Sequence, residues 1–244
     1  MKKKYVLFDL DGTLTDSQPG IINAILYALK AYGITVEDKD TLRPFLGPPL
    51  TDSFETYFGF DRRTALEAVE IFREYYNEKG KFENRVYPGV PGMLDKLREE
   101  GFCLFVATSK PETTAREILE HFDLASRFDF IGGATMSEDR VKKADVIRYV
   151  LEENVIRKRS EVVMVGDRSH DVLGAKENGI ACVGVLYGYG DRRELENAGA
   201  CCLAETAEDI ARIISPGQAA PYTVSFRNCE DTEQLLYFPY FSSQ

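Results

Sequence analysis

Phe8-Asp9-Leu10-Asp11-Gly12-Thr13 is the stretch on which the architecture turns. It closes an apolar run, Tyr5 to Leu10, of the length and composition of a buried strand, and Asp11-Gly12 is a turn signal. Residues two apart in a strand share a side, so Asp9 and Asp11 are expected to project together from the strand's end. Two carboxylates that close repel one another, and a divalent cation removes the cost. Mg²⁺ is the expected ion, because it takes hard oxygen ligands and completes its shell with water and phosphate oxygen. One carboxylate can attack phosphorus, and the other can give a proton to the departing oxygen and later take one from water. For that second role a carboxyl pKa must climb from ~3.9 toward neutrality, at about 4 kcal/mol, which partial burial and a carboxylate neighbour supply. The plain alternative is a strand that merely ends in a polar turn.

Downstream, Ile21, Ile25, Ala28, Leu29 and Tyr32 fall at helical spacing, as do Leu66, Val69, Phe72 and Tyr76. Helices are therefore expected up to about Lys81, broken by a loop at Arg43 to Leu50, whose prolines remove donors. After Pro88-Gly89 the texture becomes strand and helix in alternation. Helices are expected at Val90 to Glu100 and behind Pro111, and strands at Cys103 to Ala107, Phe128 to Ile131, Val162 to Val165 and Ala181 to Leu186. Apolar runs near glycine turns read as parallel strands buried on both faces. The expected fold is α/β, a doubly wound, Rossmann-like parallel sheet core carrying an inserted α-helical cap over the carboxyl ends of its strands. We place the core at residues 1–16 and 84–214 and the cap at 17–83. Residues 215–244 form a C-terminal extension of unassigned role, with a packed tail as the plain expectation and a lid or dimer arm as the sharper one.

The 40 acidic residues outnumber 30 basic ones, for a formal charge of −10, so a nucleic-acid partner is not expected. Five cysteines, an odd count without a C-x-x-C pair, fit reduced thiols in the cytoplasm. Lys2-Lys3-Lys4 briefly imitates a signal peptide, but Asp9 and Asp11 interrupt the apolar run, and no later run is long enough to span a membrane.

Phe8-Asp9-Leu10-Asp11-Gly12-Thr13-Leu14-Thr15-Asp16 resembles the first signature of the haloacid dehalogenase superfamily, in particular its phosphoglycolate phosphatase-like and 5'-nucleotidase-like members with a helical cap. Three further motifs follow in the family's order, and the likeness runs from about Tyr5 to Ile214. Leu104 to Pro111 supplies the second, which implies that Thr108 bonds a phosphoryl oxygen, with Ser109 and Lys110 as weaker candidates for the same pocket. A hydroxyl beside a helix start is also a plausible anion site on physical grounds, and equally a helix cap. Val141-Lys142-Lys143-Ala144-Asp145 resembles the third motif, with Lys143 as the phosphate-binding lysine that best matches and Lys142 left open. Val162 to Asp171 resembles the fourth, implying Asp167 as a metal ligand and Asp171 as a residue orienting ligands or bound water. The resemblance makes Asp9 the nucleophile and Asp11 the acid and base. It gives Mg²⁺ the Asp9 carboxylate, the Asp11 carbonyl and Asp167. His170 is read as a neighbour, since Asp11 already fills the proton-transfer role.

The implied activity is hydrolysis of a small phosphate monoester, by a monomer or homodimer. A phosphomutase keeps both aspartates, but usually has Val where Leu14 stands. A dehalogenase lacks the acidic residue at Asp11. A receiver-type signalling domain, the rival from another class, carries its acceptor on a middle strand and no helical insertion. Gly188-Tyr189-Gly190 completes no G-x-G-x-x-G, and no P-loop is present. The loop around Arg43 and Gly47 is expected to close over the leaving group. A nucleoside 5'-monophosphate is placed slightly ahead of phosphoglycolate as substrate.

Overall fold

The computed structural model describes residues 4–47, 49–135 and 140–215. The expected extension beyond Ser215 lies outside the described residues.

Strand β1 (Tyr5–Phe8) carries Val6, Leu7 and Phe8, all fully buried, as a strand covered on both faces must. Between β1 and the next core strand come β2 (Thr15–Asp16), the helical cap and β3 (Arg85–Val86). The core then alternates: α4 (Val90–Glu99), β4 (Cys103–Pro111), α5 (Glu112–His121), β5 (Phe130–Ala134), α6 (Lys143–Glu153), β6 (Val162–Gly166), α7 (Ser169–Glu177), β7 (Ala181–Val185), α8 (Arg192–Ala198), β8 (Cys202–Ala204) and α9 (Ala207–Ile214). Six strands make one parallel sheet in the order β5-β4-β1-β6-β7-β8. The chain leaves β1 for β4 and β5 on one side, then returns to β6, β7 and β8 on the other. The topological switch point, where such sheets bind ligands, thus lies at β1's carboxyl end.

Strand alternation sorts the core into two layers. Val6, Phe8, Leu104, Val106, Val163 and Val165 pack with α4, α5 and α9, whereas Leu7, Phe105, Ala107 and Met164 pack with α6, α7 and α8. The cap has a third apolar cluster of its own. Helix α1 (Gln18–Ala31) offers Ala24, Ile25, Ala28 and Leu29, and α3 (Arg62–Glu78) offers Ala65, Ala68, Val69 and Phe72. Asp61 starts α3 by accepting the Thr64 N–H at 2.7 Å. Helix α2 (Leu50–Phe58) stops at Gly59, whose φ of 65° ends it without side-chain strain.

Where cap meets core, β2 and β3 pair antiparallel, and Arg85 Nη2 lies 2.8 Å from Asp16 Oδ2. Two-residue strands are too short to leave a period, which is why no strand was expected here. The expected loop at Arg43 to Leu50 is in part ordered: a 3₁₀ turn runs from Lys39 to Phe45 with Pro44 inside it, and α2 begins at Leu50. A 3₁₀ turn that ends one residue after proline forfeits little from its missing donor. The strand expected from Phe128 starts at Phe130, because the 3₁₀ turn Ala125–Arg127 ends at Phe128. Strand β4 runs on to Pro111 through a register irregularity after Ala107. Among the described residues, no helix is long and apolar enough to cross a membrane.

Candidate active site

Past Phe8 the backbone continues the sheet for one more step, as the Asp9 N–H donates to the Val165 carbonyl at 3.0 Å. It then folds tightly: the Leu10 carbonyl accepts from Leu14 at 2.9 Å and Thr15 at 3.0 Å, and Gly12 takes a φ of 81°. A Cβ on Gly12 would overlap the Asp167 carboxylate, so glycine here also admits the neighbouring motif.

Lys143, buried in the first turn of α6, places Nζ 2.7 Å from Asp9 Oδ1 and 2.9 Å from Asp171 Oδ1, and donates to the Ala107 carbonyl at 3.1 Å. Lys142, the residue before α6, is exposed. Asp171 Oδ2 accepts the N–H groups of Asp167 and Arg168, each at 3.1 Å, which fixes the start of α7. Asp167 accepts the Tyr189 N–H on Oδ2 at 2.8 Å and the Thr13 hydroxyl on Oδ1 at 3.3 Å.

Carboxylate oxygens of Asp9, Asp167 and Asp171, all buried, lie within 4.8 Å of one another. Burial raises the Asp9 pKa, against the lowering pull of Lys143, and raises that of Asp167 well above the ordinary range, with Asp171 and Asp9 adding repulsion. Burial alone would depress Lys143, but the Asp171 and Asp9 charges hold it above its usual value. Three carboxylates thus face one ammonium. Asp9 Oδ1 and Asp171 Oδ1 reach Lys143 at ion-pairing distance but outside hydrogen-bond geometry, so both retain unfilled acceptor capacity. The surplus negative charge and the hard oxygen donors fit a divalent cation.

Asp11 does not share this cluster. Its Oδ2 lies 2.9 Å from Lys110 Nζ, and its buried Oδ1 has no hydrogen-bond partner. Strand geometry ends at Phe8, so the two-residue alternation that would align Asp9 with Asp11 no longer governs them.

Thr108 is buried on the irregular end of β4, where its Oγ1 accepts the Lys110 N–H at 3.2 Å. It does not cap α5, which starts behind Pro111. Ser109 and His170 are exposed. Arg43, Pro44 and Leu46 of the cap face Arg168, Gly188 and Tyr189 of the core across a cavity of about 340 Å³. Gly47 is exposed with a φ of 110°, and a Cβ there would stand 2.6 Å from Arg168 Nη1.

Several contributors escaped the sequence reading. The Tyr187 hydroxyl donates to the Thr13 carbonyl at 2.9 Å, bracing the turn after Asp9. The Tyr189 hydroxyl accepts the Gln18 N–H at 3.0 Å, so one residue braces Asp167 through its backbone and the start of the cap through its side chain. The available signal was Gly188-Tyr189-Gly190: both glycines press against Asp167, where any Cβ would clash.

A family model described as haloacid dehalogenase-like hydrolase matches residues 6–185. The chain is 44% identical over 190 residues to a 5'-nucleotidase of Pseudomonas aeruginosa, covering 78% of this chain and 86% of that protein. It is 42% identical over 186 residues to tyrosine-protein kinase PtkA of Mycobacterium tuberculosis, covering 76% of this chain and 62% of that protein. A crystal structure described as a predicted phosphatase from Clostridium acetobutylicum superposes with a TM-score of 0.82 at 45% identity, covering 88% of this chain and 99% of that one. The chain belongs to the haloacid dehalogenase-like hydrolases. Within that family its enzymatic class is phosphatase.

Proposed function

We propose that the protein hydrolyses small phosphate monoesters through an aspartyl phosphate on Asp9, with a nucleoside 5'-monophosphate ahead of phosphoglycolate as substrate. The observation that carries this reading is the Lys143 ammonium shared between Asp9 and Asp171 inside a surplus of buried carboxylate. An Asp9 oxygen attacks phosphorus as the ester P–O bond breaks, and the leaving oxygen takes its proton from Asp11. Water then attacks the same phosphorus, giving its proton to Asp11 and releasing phosphate and the free Asp9 carboxylate. Lys143 holds Asp9 and the phosphoryl oxygens together, Thr108 donates its hydroxyl to one of them, and Ser109 stands beside it. Mg²⁺ would be held by Asp9, the Asp11 carbonyl and Asp167, with Asp171 beside them, and when bound would neutralise phosphate charge.

The 44% identity to a 5'-nucleotidase supports the nucleotide preference. The cavity beneath Arg43, beside Gly47, is where the leaving group would lie. We place the enzyme in the cytoplasm, as a monomer or homodimer acting on a soluble metabolite; the unbridged thiols Cys103 and Cys182 suit a reducing compartment. The test is a panel of monoesters assayed with Mg²⁺ and with chelator, for the wild type and Asp9→Asn. Release of inorganic phosphate that needs Mg²⁺ and disappears in the variant is expected; turnover by Asp9→Asn would remove the mechanism.

A further inference from the structure

Lys110 is a buried cation that the reaction above leaves unused. Its side chain is 8% exposed, and its Nζ sits 2.9 Å from Asp11 Oδ2. The same ammonium donates to the Tyr76 hydroxyl at 2.5 Å and stands 4.7 Å from that ring's centroid. Tyr76 belongs to cap helix α3, is itself buried, and stacks on Phe72 at 5.3 Å with the ring planes 13° apart. Lys110 therefore joins a fixed ring of the cap to the carboxylate of Asp11 on the core. The lysine paired with Asp9 is a different one, Lys143.

We propose that Lys110, oriented by Tyr76, is the positioning residue for Asp11, and that it makes the placement of Asp11 depend on α3 being seated on the core. This rests on the reading of Asp11 as proton donor and acceptor. Asp11 follows a tight turn and not a strand, and its Oδ1 has no hydrogen-bond partner, so the backbone alone does not aim the carboxylate. A single ammonium 2.9 Å from Oδ2 does, because it fixes one oxygen of the half-buried carboxyl group and leaves Oδ1 for the proton. The ammonium is in turn aimed by the phenol and the ring face beneath it. Proton transfer to a leaving oxygen requires the donor within hydrogen-bond reach, so a displaced Asp11 slows chemistry without weakening phosphate binding. The arrangement thus differs from a purely structural cap-to-core bond, which would alter stability and not the chemical step.

The test uses the full chain with saturating Mg²⁺ and the best monoester from the panel. Lys110→Met, nearly isosteric without charge, should lower kcat about 10²-fold while KM stays within about twofold. Tyr76→Phe, losing one hydroxyl, should lower kcat about fivefold with Tm within about 2 °C of wild type. The double variant should be no slower than Lys110→Met, because Tyr76 acts only through the lysine. Unchanged kcat in Lys110→Met, additive losses in the double variant, or a fall in kcat matched by a fall in folded fraction would each overturn the proposal. If Lys110→Met does not fold, Tyr76→Phe decides: reduced kcat at unchanged Tm supports the proposal, and unchanged kcat overturns it. A wild type inactive on every monoester, or an active Asp9→Asn, would overturn the phosphatase reading and this proposal together. Wild-type turnover lost in Asp9→Asn but kept in Lys110→Met would overturn this proposal alone.

Discussion

Arg168 of the core donates from Nη1 to the main-chain carbonyl of Leu46 in the cap at 2.6 Å, across 122 residues of sequence. Its Nε donates to Glu194 at 2.9 Å, so the guanidinium is held from behind while it reaches forward. Burial alone would raise the Glu194 pKa, but the Ser169 N–H and the Arg168 charge hold it below the ordinary carboxylate value, so it stays an ionised anchor. Asp167, next in the chain, belongs to the carboxylate cluster, so cap contact and cluster are adjacent in sequence and in space.

Removing that latch should act on binding. In Arg168→Ala the Leu46 carbonyl loses a charge-assisted partner, and the loop bearing Arg43 and Gly47 is freed from the core. We expect KM to rise about tenfold, with kcat within about threefold of wild type. Steady-state kinetics on the preferred monoester check this; an unchanged KM would show that the latch does not shape the cavity.

The carboxylate surplus sets a second expectation. A divalent cation that binds only the folded chain stabilises it by about 2.7 kcal/mol at a hundredfold excess over Kd, a rise in Tm of about 8 °C for a domain of this size. Asp167→Asn should abolish most of the Mg²⁺-induced rise. Without metal the same variant should melt at or above wild type, since one buried repulsive charge has been removed. Differential scanning calorimetry with Mg²⁺ and with chelator reads both effects.

Gly188 is constrained by what surrounds it. A Cβ there would overlap the Asp167 side chain and the Gly12 carbonyl, neither of which has slack. Gly188→Ala should cost about 2 kcal/mol, or about 5 °C in Tm, and displace Asp167. Thermal melting together with the Mg²⁺ concentration needed for half-maximal activity tests this, both being expected to worsen.

Acid should help the metal-free protein. Burial raises the folded-state pKa of Asp9 and Asp167 above the ordinary 3.8, so between 3.8 and the raised values the native chain binds more protons than the unfolded one. Stability then falls as pH rises through that window and is recovered on acidification. Asp61 and Asp95 have the opposite sign, because hydrogen bonds from Thr64 and Arg127 lower their pKa, but their contributions are lost only below the ordinary carboxylate range. In chelator, Tm should climb as pH is lowered through the raised values toward the ordinary 3.8. With saturating Mg²⁺ the climb should vanish. Parallel melts across pH measure the difference.

Much of the core was legible because its signals are local. Val6, Leu7 and Phe8 announce a buried strand in consecutive positions, and the runs at Val162 and Ala181 do the same for β6 and β7. The two-residue strands at Thr15 and Arg85 and the three-residue strand at Cys202 left no such trace, being shorter than a period can register. Asp9 stood out because a charged side chain closing an apolar run must be either solvated or paired, whereas Lys143 and Asp167 were singled out by the family resemblance. Which partner each pairs with is not a local property. Asp171 was expected to orient ligands from a helical turn away, and its carboxylate lies within the cluster itself. Asp11 was expected beside Asp9, and it turns to Lys110.

The order of apolar runs, turns and charged residues along the chain determined by itself that a parallel sheet would form and that acidic groups would gather at the tips of its strands, since burial of apolar strands obliges polar residues to collect where the strands end. Tertiary structure alone decided which lysine meets which aspartate, and that Arg168, Tyr189 and Lys110 tie the cap to the carboxylates. The cap-to-core contacts of Lys110, Arg168 and Tyr189 join residues from 34 to 171 positions apart, and a charge finds its partner by distance in space, on which separation along the chain places no constraint.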